Sequence, residues 1–148
     1  MTGSSSAQDV QTTVLPWGVA KWLITADQGA AMSLGEVVVL PGRSHEWHVH
    51  EDSDEVVYVL AGRGAFTVGE GNRLAIAPGD ALHIPAGVYH DSHNQGWAPL
   101  HLLVMYSPAG PELAGPTTAY AMVPAGVPLA MSTSVVEPSG EGGSATGN

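Results

Sequence analysis

Cysteine is absent from the 148 residues. A disulfide framework, a thiolate metal site and a cysteine nucleophile are therefore all excluded. Positive charge is almost absent as well. One Lys and three Arg stand against 14 acidic residues, for a formal net charge of −10. A chain with no basic patch has nothing to neutralise a phosphate backbone, which argues against a nucleic-acid partner, and an anionic membrane surface is disfavoured for the same reason. No helical period is sustained anywhere, and no internal repeat is visible. The segment Met1 to Gln11 is polar and Ser-rich. It lacks the basic start and apolar centre of a secretory signal. No apolar run approaches the roughly 20 residues of a membrane helix. With cysteine missing too, the expectation is a cytoplasmic protein.

What the chain does have is β-forming and turn-forming sequence. Apolar residues make up 44%, charged residues only 12%, and there are 19 Gly and 11 Pro. Val-rich runs cut by Gly and Pro read as many short strands, an all-β domain built as a sandwich or barrel. Residues 13–24 read as one or two strands broken near Pro16 and Gly18, followed by a turn at Asp27-Gln28-Gly29. Further strands are expected at 31–40, 43–50, 55–61, 65–68, 73–76, 81–84, 88–92 and 99–106. Residues 120–131 add at most one short element. The domain plan is a disordered leader over 1–12, one barrel over 13–131, and a Gly/Ser/Glu-rich disordered tail over 132–148.

One stretch carries the chemistry. In GRSHEWHVHEDSDEVVYVLAG, residues 42–62, His48 and His50 are two apart, so a strand projects both to one side. The acidic segment Glu51 to Asp54 reads as a polar turn, and Glu55 opens the next strand. Imidazole nitrogens and a carboxylate oxygen are the donors that Zn, Fe, Mn, Co, Ni and Cu accept. A second stretch, GDALHIPAGVYHDSHN at 79–94, offers a Pro-Ala-Gly turn and then His90, which begins a strand.

Together these stretches resemble the cupin superfamily. The first cupin motif is matched by Gly42, His48, His50, Glu55 and Gly62, and the second by Gly79, Pro85, Gly87, His90 and Asn94, with every spacing kept. Two interlocking patterns are far more specific than a lone His-x-His. The resemblance covers roughly residues 30–106. It implies a double-stranded β-helix, the small cupin jelly-roll barrel. It also implies one divalent transition metal held by His48, His50, Glu55 and His90, with Fe placed first and Mn, Zn, Ni, Co and Cu as alternatives. Asn94 is expected to be structural, and a homodimer is expected by resemblance.

The remaining polar residues are sorted by strand parity. Glu46 shares parity with His48 and His50, which makes it a candidate general base at the cavity mouth; a solvated rim residue is the plainer alternative. His101 sits in an apolar strand, either as a core histidine or as an acid/base residue lining the pocket; His83 has the same ambiguity. His45 and His93 have the opposite parity and are expected to face away from the metal. Trp47 is expected to pack against the second sheet, and Tyr58 and Tyr89 to face outward.

Four protein ligands leave a six-coordinate metal two positions for a small molecule, where it acts as a Lewis acid. With so few cations to grip a phosphate, an enolic, aromatic or polyketide-like substrate fits better than a sugar nucleotide. The leading expectation is a metal-dependent dioxygenase. The alternatives are a non-oxidative cyclase, isomerase or lyase, and a small-ligand-binding cupin without turnover.

Overall fold

The computed structural model describes residues 3–114 and 121–128. The expected tail at 132–148 lies outside them. Eleven strands form in the described residues: β1 Thr12–Leu15, β2 Gly18–Ile24, β3 Ser33–Val39, β4 Ser44–His48, β5 Asp54–Ala61, β6 Gly64–Val68, β7 Asn72–Ile76, β8 Ala81–Ile84, β9 His90–His93, β10 Leu100–Ser107 and β11 Ala121–Val123. The break expected near Pro16 and Gly18 separates β1 from β2. Asp27 and Gln28 form part of a single turn of 3-10 helix, Ala26–Gln28, where the sequence suggested a plain turn. Its free Ala26 N–H donates to Glu112 Oε1 at 2.8 Å.

Two antiparallel sheets result. The larger has the order β11-β1-β2-β3-β10-β5-β8, and the smaller β4-β9-β6-β7. Non-consecutive neighbours such as β3-β10-β5 and β4-β9-β6 give the crossing connections of a jelly roll, the double-stranded β-helix. β3 alternates between buried and half-buried residues, and β10 does the same up to its exposed last residue, Ser107. One face of each therefore meets the core, as period-two apolar patterning requires. Core residues from both sheets form one cluster. Val39, Val57, Ile84, Leu100 and Leu102 come from the larger sheet, Phe66 and Ile76 from the smaller.

Short loops hold the sheets in register. Gly62 joins β5 to β6 with φ +81, in the left-handed region that favours glycine. A Cβ there would also lie 2.2 Å from the Pro99 carbonyl oxygen. Upstream of β1, the Ala7 carbonyl accepts a hydrogen bond from Lys21 Nζ at 2.7 Å, and the Gln8 carbonyl accepts one from Gly126 N at 2.8 Å. None of the helices in the described residues is long and apolar enough to cross a membrane.

Candidate metal centre

The turn chemistry of both motifs brings their histidines together. The Gly87 N–H donates to the His50 carbonyl at 2.9 Å, tying the Pro85–Gly87 turn to the end of the first motif. Asp54 braces the same turn. Its Oδ1 accepts from Ala86 N at 2.9 Å and its Oδ2 faces His83 Nε2 at 2.9 Å. The backbone bond from Ala86 and the contact with His83 hold the Asp54 carboxyl below its ordinary range. Asn94 fixes the far end of β9. Its Nδ2 donates to the carbonyls of Val39 and Ala98 at 2.8 Å each, and its Oδ1 accepts from Gly96 N at 3.0 Å. It is 1% exposed, and its role is to hold the backbone.

His48 at the end of β4, His50 just after it, Glu55 on β5 and His90 at the start of β9 each turn one ligand atom inward, all within 4.8 Å of one another. Glu55 comes from the larger sheet, and His48 and His90 from the smaller. A carbonyl only accepts hydrogen bonds, so Nδ1 carries the proton in His48, bonded to Glu46 O at 2.7 Å, and in His90, bonded to Val88 O at 2.9 Å. That leaves Nε2 of each ring for the cluster, the arrangement that orients a metal-ligating imidazole. Glu55 Oε2 lies 2.8 Å from His90 Nε2 and 3.2 Å from His50 Nε2.

Charge within the cluster is arranged for a cation. Burial, the largest single influence on Glu55, pushes its carboxyl up, but the imidazoles of His50 and His90 outweigh it and hold the group at about 2. Burial pulls His90 down, and Glu55 more than reverses that, so His90 lies above its ordinary value. Burial is the main reason that His48 lies below its ordinary value. Each of the two groups thus favours the charged form of the other, and a divalent ion held there would compete with protons for the imidazole nitrogens. The fit is supported by His50 Nε2, which is buried and, although 3.2 Å from Glu55 Oε2, lacks a well-aligned hydrogen bond. A buried donor or acceptor left unpaired costs about 1–3 kcal/mol. Three imidazoles and one carboxylate form a donor set suited to a divalent transition metal.

The cluster faces an apolar cavity of about 1150 Å³. Leu15, Val37, Phe66, Leu102 and Val104 line it, together with residues 108–114 and Met122. Glu46, exposed, lines the mouth.

Three parity-based expectations are corrected. His45 does not face away from the metal ligands: its ring stacks between Trp17 at 4.4 Å and His48 at 4.1 Å, and it lines the cavity. The cause is a register shift between His45 and His48. His45 pairs with Ser92 and His48 with His90, so β4 spends one extra residue and both histidines turn inward. Burial, and then the neighbouring His48, bring its pKa down to about 3. His101 does not line the pocket. On β10 it alternates with Leu100 and Leu102, and its Nε2 meets Glu36 Oε2 at 3.0 Å on the outer face. Trp47 does not pack against the other sheet; it is 47% exposed and stacks on Tyr89 at 5.9 Å. Tyr58 and Tyr89 are exposed as expected. His83 pairs with Asp54, and His93 with Asp91 at 2.8 Å, both outside the four-residue cluster.

One cavity residue escaped the sequence reading. Tyr106, 7% exposed, packs its ring against His50 at 4.6 Å and Trp22 at 5.3 Å. Burial, then the charges of Glu55 and Glu112, raise its phenol well above the ordinary value and keep it protonated. The signal was available: Tyr106 shares parity with Leu102 and Val104, the inward residues of β10.

Comparison with known proteins follows the same outline. A cupin-domain family model matches residues 35–106. An uncharacterized protein of Streptomyces coelicolor is 36% identical over 77 residues, covering 52% of this chain and 70% of that protein. The tetracenomycin polyketide synthase protein TcmJ of Streptomyces glaucescens is 28% identical over 117 residues, covering 75% of this chain and 78% of TcmJ. Acireductone dioxygenase of Leishmania major is 49% identical over 47 residues, covering 29% of this chain and 13% of the enzyme. Several curated relatives are thus matched over less than two thirds of their own length, including a Methanocaldococcus jannaschii protein at 60%. The solved structure of KdgF from Halomonas superposes with a TM-score of 0.66 at 19% identity, over 76% of this chain and 99% of that one. With both motifs, the barrel and the His48, His50, Glu55 and His90 cluster in place, the chain belongs to the cupin superfamily.

Proposed function

We propose that the protein is a metal-dependent cupin enzyme acting on a small enolic, aromatic or polyketide-like substrate, with dioxygenase chemistry as the leading reaction. The observation that carries the reading is the cluster of half-buried His48 and His50 with buried Glu55 and His90, opening onto an apolar cavity. When bound there, a divalent metal supplies Lewis acidity, lowering the pKa of a substrate hydroxyl or polarising a carbonyl. The chain's own residues do the rest. Glu55 brings one negative charge, which leaves the site net positive toward an anionic oxygen once a divalent ion is held. Val37, Phe66, Leu102 and Val104 exclude water around the substrate's apolar body. No Lys or Arg is among the described residues lining the cavity, which favours an unphosphorylated substrate. Glu46 at the mouth is the candidate for moving a proton to or from solvent.

The local similarity to acireductone dioxygenase, 49% over 47 residues, supports the oxygenase reading. The much longer alignment with TcmJ, a polyketide synthase protein, supports a polyketide-like substrate, and a non-oxidative cyclase, isomerase or lyase is the second reading. Oxygen uptake by the Fe(II)-loaded protein with a panel of enolic substrates separates the two. Conversion that proceeds anaerobically, with no uptake, sinks the oxygenase reading and leaves the second. Binding without conversion under any metal leaves a ligand-binding module. We further propose that the barrel works as a homodimer; a monomeric mass by light scattering would contradict it.

A further inference from the structure

We propose that the Tyr106 hydroxyl donates a hydrogen bond to an oxygen of the molecule seated at the four-residue cluster, making Tyr106 a positioning residue for a planar ligand that carries two neighbouring oxygens. The inference rests on the metal-dependent reading above and deepens it.

Three observations carry it. The ring is fixed. Tyr106 is paired on one side with Ser33 of β3 and on the other with Glu55 of β5, and its faces meet His50 and Trp22. A group held on two central strands keeps its position far better than one on a loop. The hydroxyl is also free. It lines the cavity and makes no hydrogen bond to a described residue. The two nearby carboxylates are otherwise engaged. Glu112 accepts from Ala26 N at 2.8 Å and from Gly110 N at 2.9 Å, and Glu55 lies against His50 and His90. The residue as a whole is 7% exposed, and its hydroxyl, with no acceptor among the described residues, opens onto the cavity, where an arriving ligand oxygen can take the place of water. Finally, the placement suits a second contact. Glu55 is a ligand residue and Tyr106 is its direct cross-strand neighbour. A ligand oxygen held at the cluster therefore enters beside the phenol. A vicinal pair, as in an enediol or catechol, can place one oxygen at the cluster and the other at the phenol.

The test uses the full-length protein loaded with Zn(II), with catechol as the probe and imidazole as the control. Calorimetry first fixes zinc stoichiometry. It then gives Kd for each probe in the wild type and in Tyr106→Phe, which keeps the ring and removes only the hydroxyl. The expected result is unchanged zinc content, a catechol Kd raised about tenfold, and an imidazole Kd changed by less than about twofold. Equal catechol affinity in the two proteins overturns the proposal while leaving the metal reading intact. A wild-type chain that takes up no zinc overturns the metal reading itself, so the two failures are distinct. A second measurement needs no variant. With tyrosine labelled at Cζ, the chain gives four NMR signals, one for each of its four tyrosines. One buried signal should shift with catechol and stay in place with imidazole. The absence of any such shift also overturns the proposal.

Discussion

Glu55 and Tyr106 face each other across β5 and β10 as direct Cα partners. One end of that pair belongs to the ion-binding cluster, and the other is an aromatic wall of the cavity. On the proposed reading, binding and selection share a single cross-strand pair, and damage to the sheet at this point should disturb both together.

Loss of two imidazoles should abolish the metal. His48→Ala with His50→Ala is expected to reduce stoichiometric metal to background by elemental analysis of protein purified without chelator, since it removes two of the four ligand residues. Retention of one ion per chain would refute the assignment.

Asn94→Ala should destabilise the barrel by about 1–3 kcal/mol, because it strands the buried carbonyl of Val39 and frees the more exposed Ala98 carbonyl and Gly96 N–H. Urea unfolding measures it. A loss below about 1 kcal/mol would mean that water replaces the amide at little cost.

Gly62→Ala combines a positive φ of +81 with a Cβ 2.2 Å from the Pro99 carbonyl oxygen. The expected destabilisation exceeds about 2 kcal/mol. Thermal melting compared with Gly71→Ala, where φ is +82 but nothing crowds the new Cβ, separates clash from backbone strain.

His101→Ala should leave turnover within about twofold of wild type and stability within about 0.5 kcal/mol, because its bond to Glu36 lies half-exposed on the outer face. A large loss of activity would restore His101 to the reaction.

Stability of the metal-free protein should fall with acid through His45. Its folded value of about 3 lies below the ordinary 6.5, so the unfolded chain binds the proton first, and folding weakens as pH falls from 6.5 toward 3. Glu55, held at about 2 against 4.5, adds a loss in the same direction between those two values. His90, raised above 6.5, contributes stability that is present below 6.5 and lost as pH rises through its folded value. In urea melts of chelator-treated protein, His45→Gln should show a flatter decline between pH 6.5 and 3 than wild type. Parallel slopes would contradict the assignment.

The ligands were legible in the sequence because motif spacing survives irregularity in the strand. His48, His50, Glu55 and His90 meet as the two motifs implied. Parity failed where the strand did. The extra residue between His45 and His48 inverts the face on which His45 lies, and nothing in SHEWH announces it. His101 was ambiguous for a different reason. β10 is apolar on both faces, with Leu103 and Met105 outward and Leu102 and Val104 inward, so its sequence does not say which side meets the cavity. Only pairing with β3 and β5 decides that, and the same decision places Tyr106 inside.

The division of the ligands between the two sheets has a mechanical consequence. An ion gripped by Glu55 on one layer and by His48 and His90 on the other acts as a clasp across the sandwich. Any breathing motion that spreads the layers must first let go of the ion, so its residence time becomes a clock for that motion. Substitutions that loosen the shared core, even far from the cluster, should then reveal themselves as faster leakage of metal well before the barrel melts.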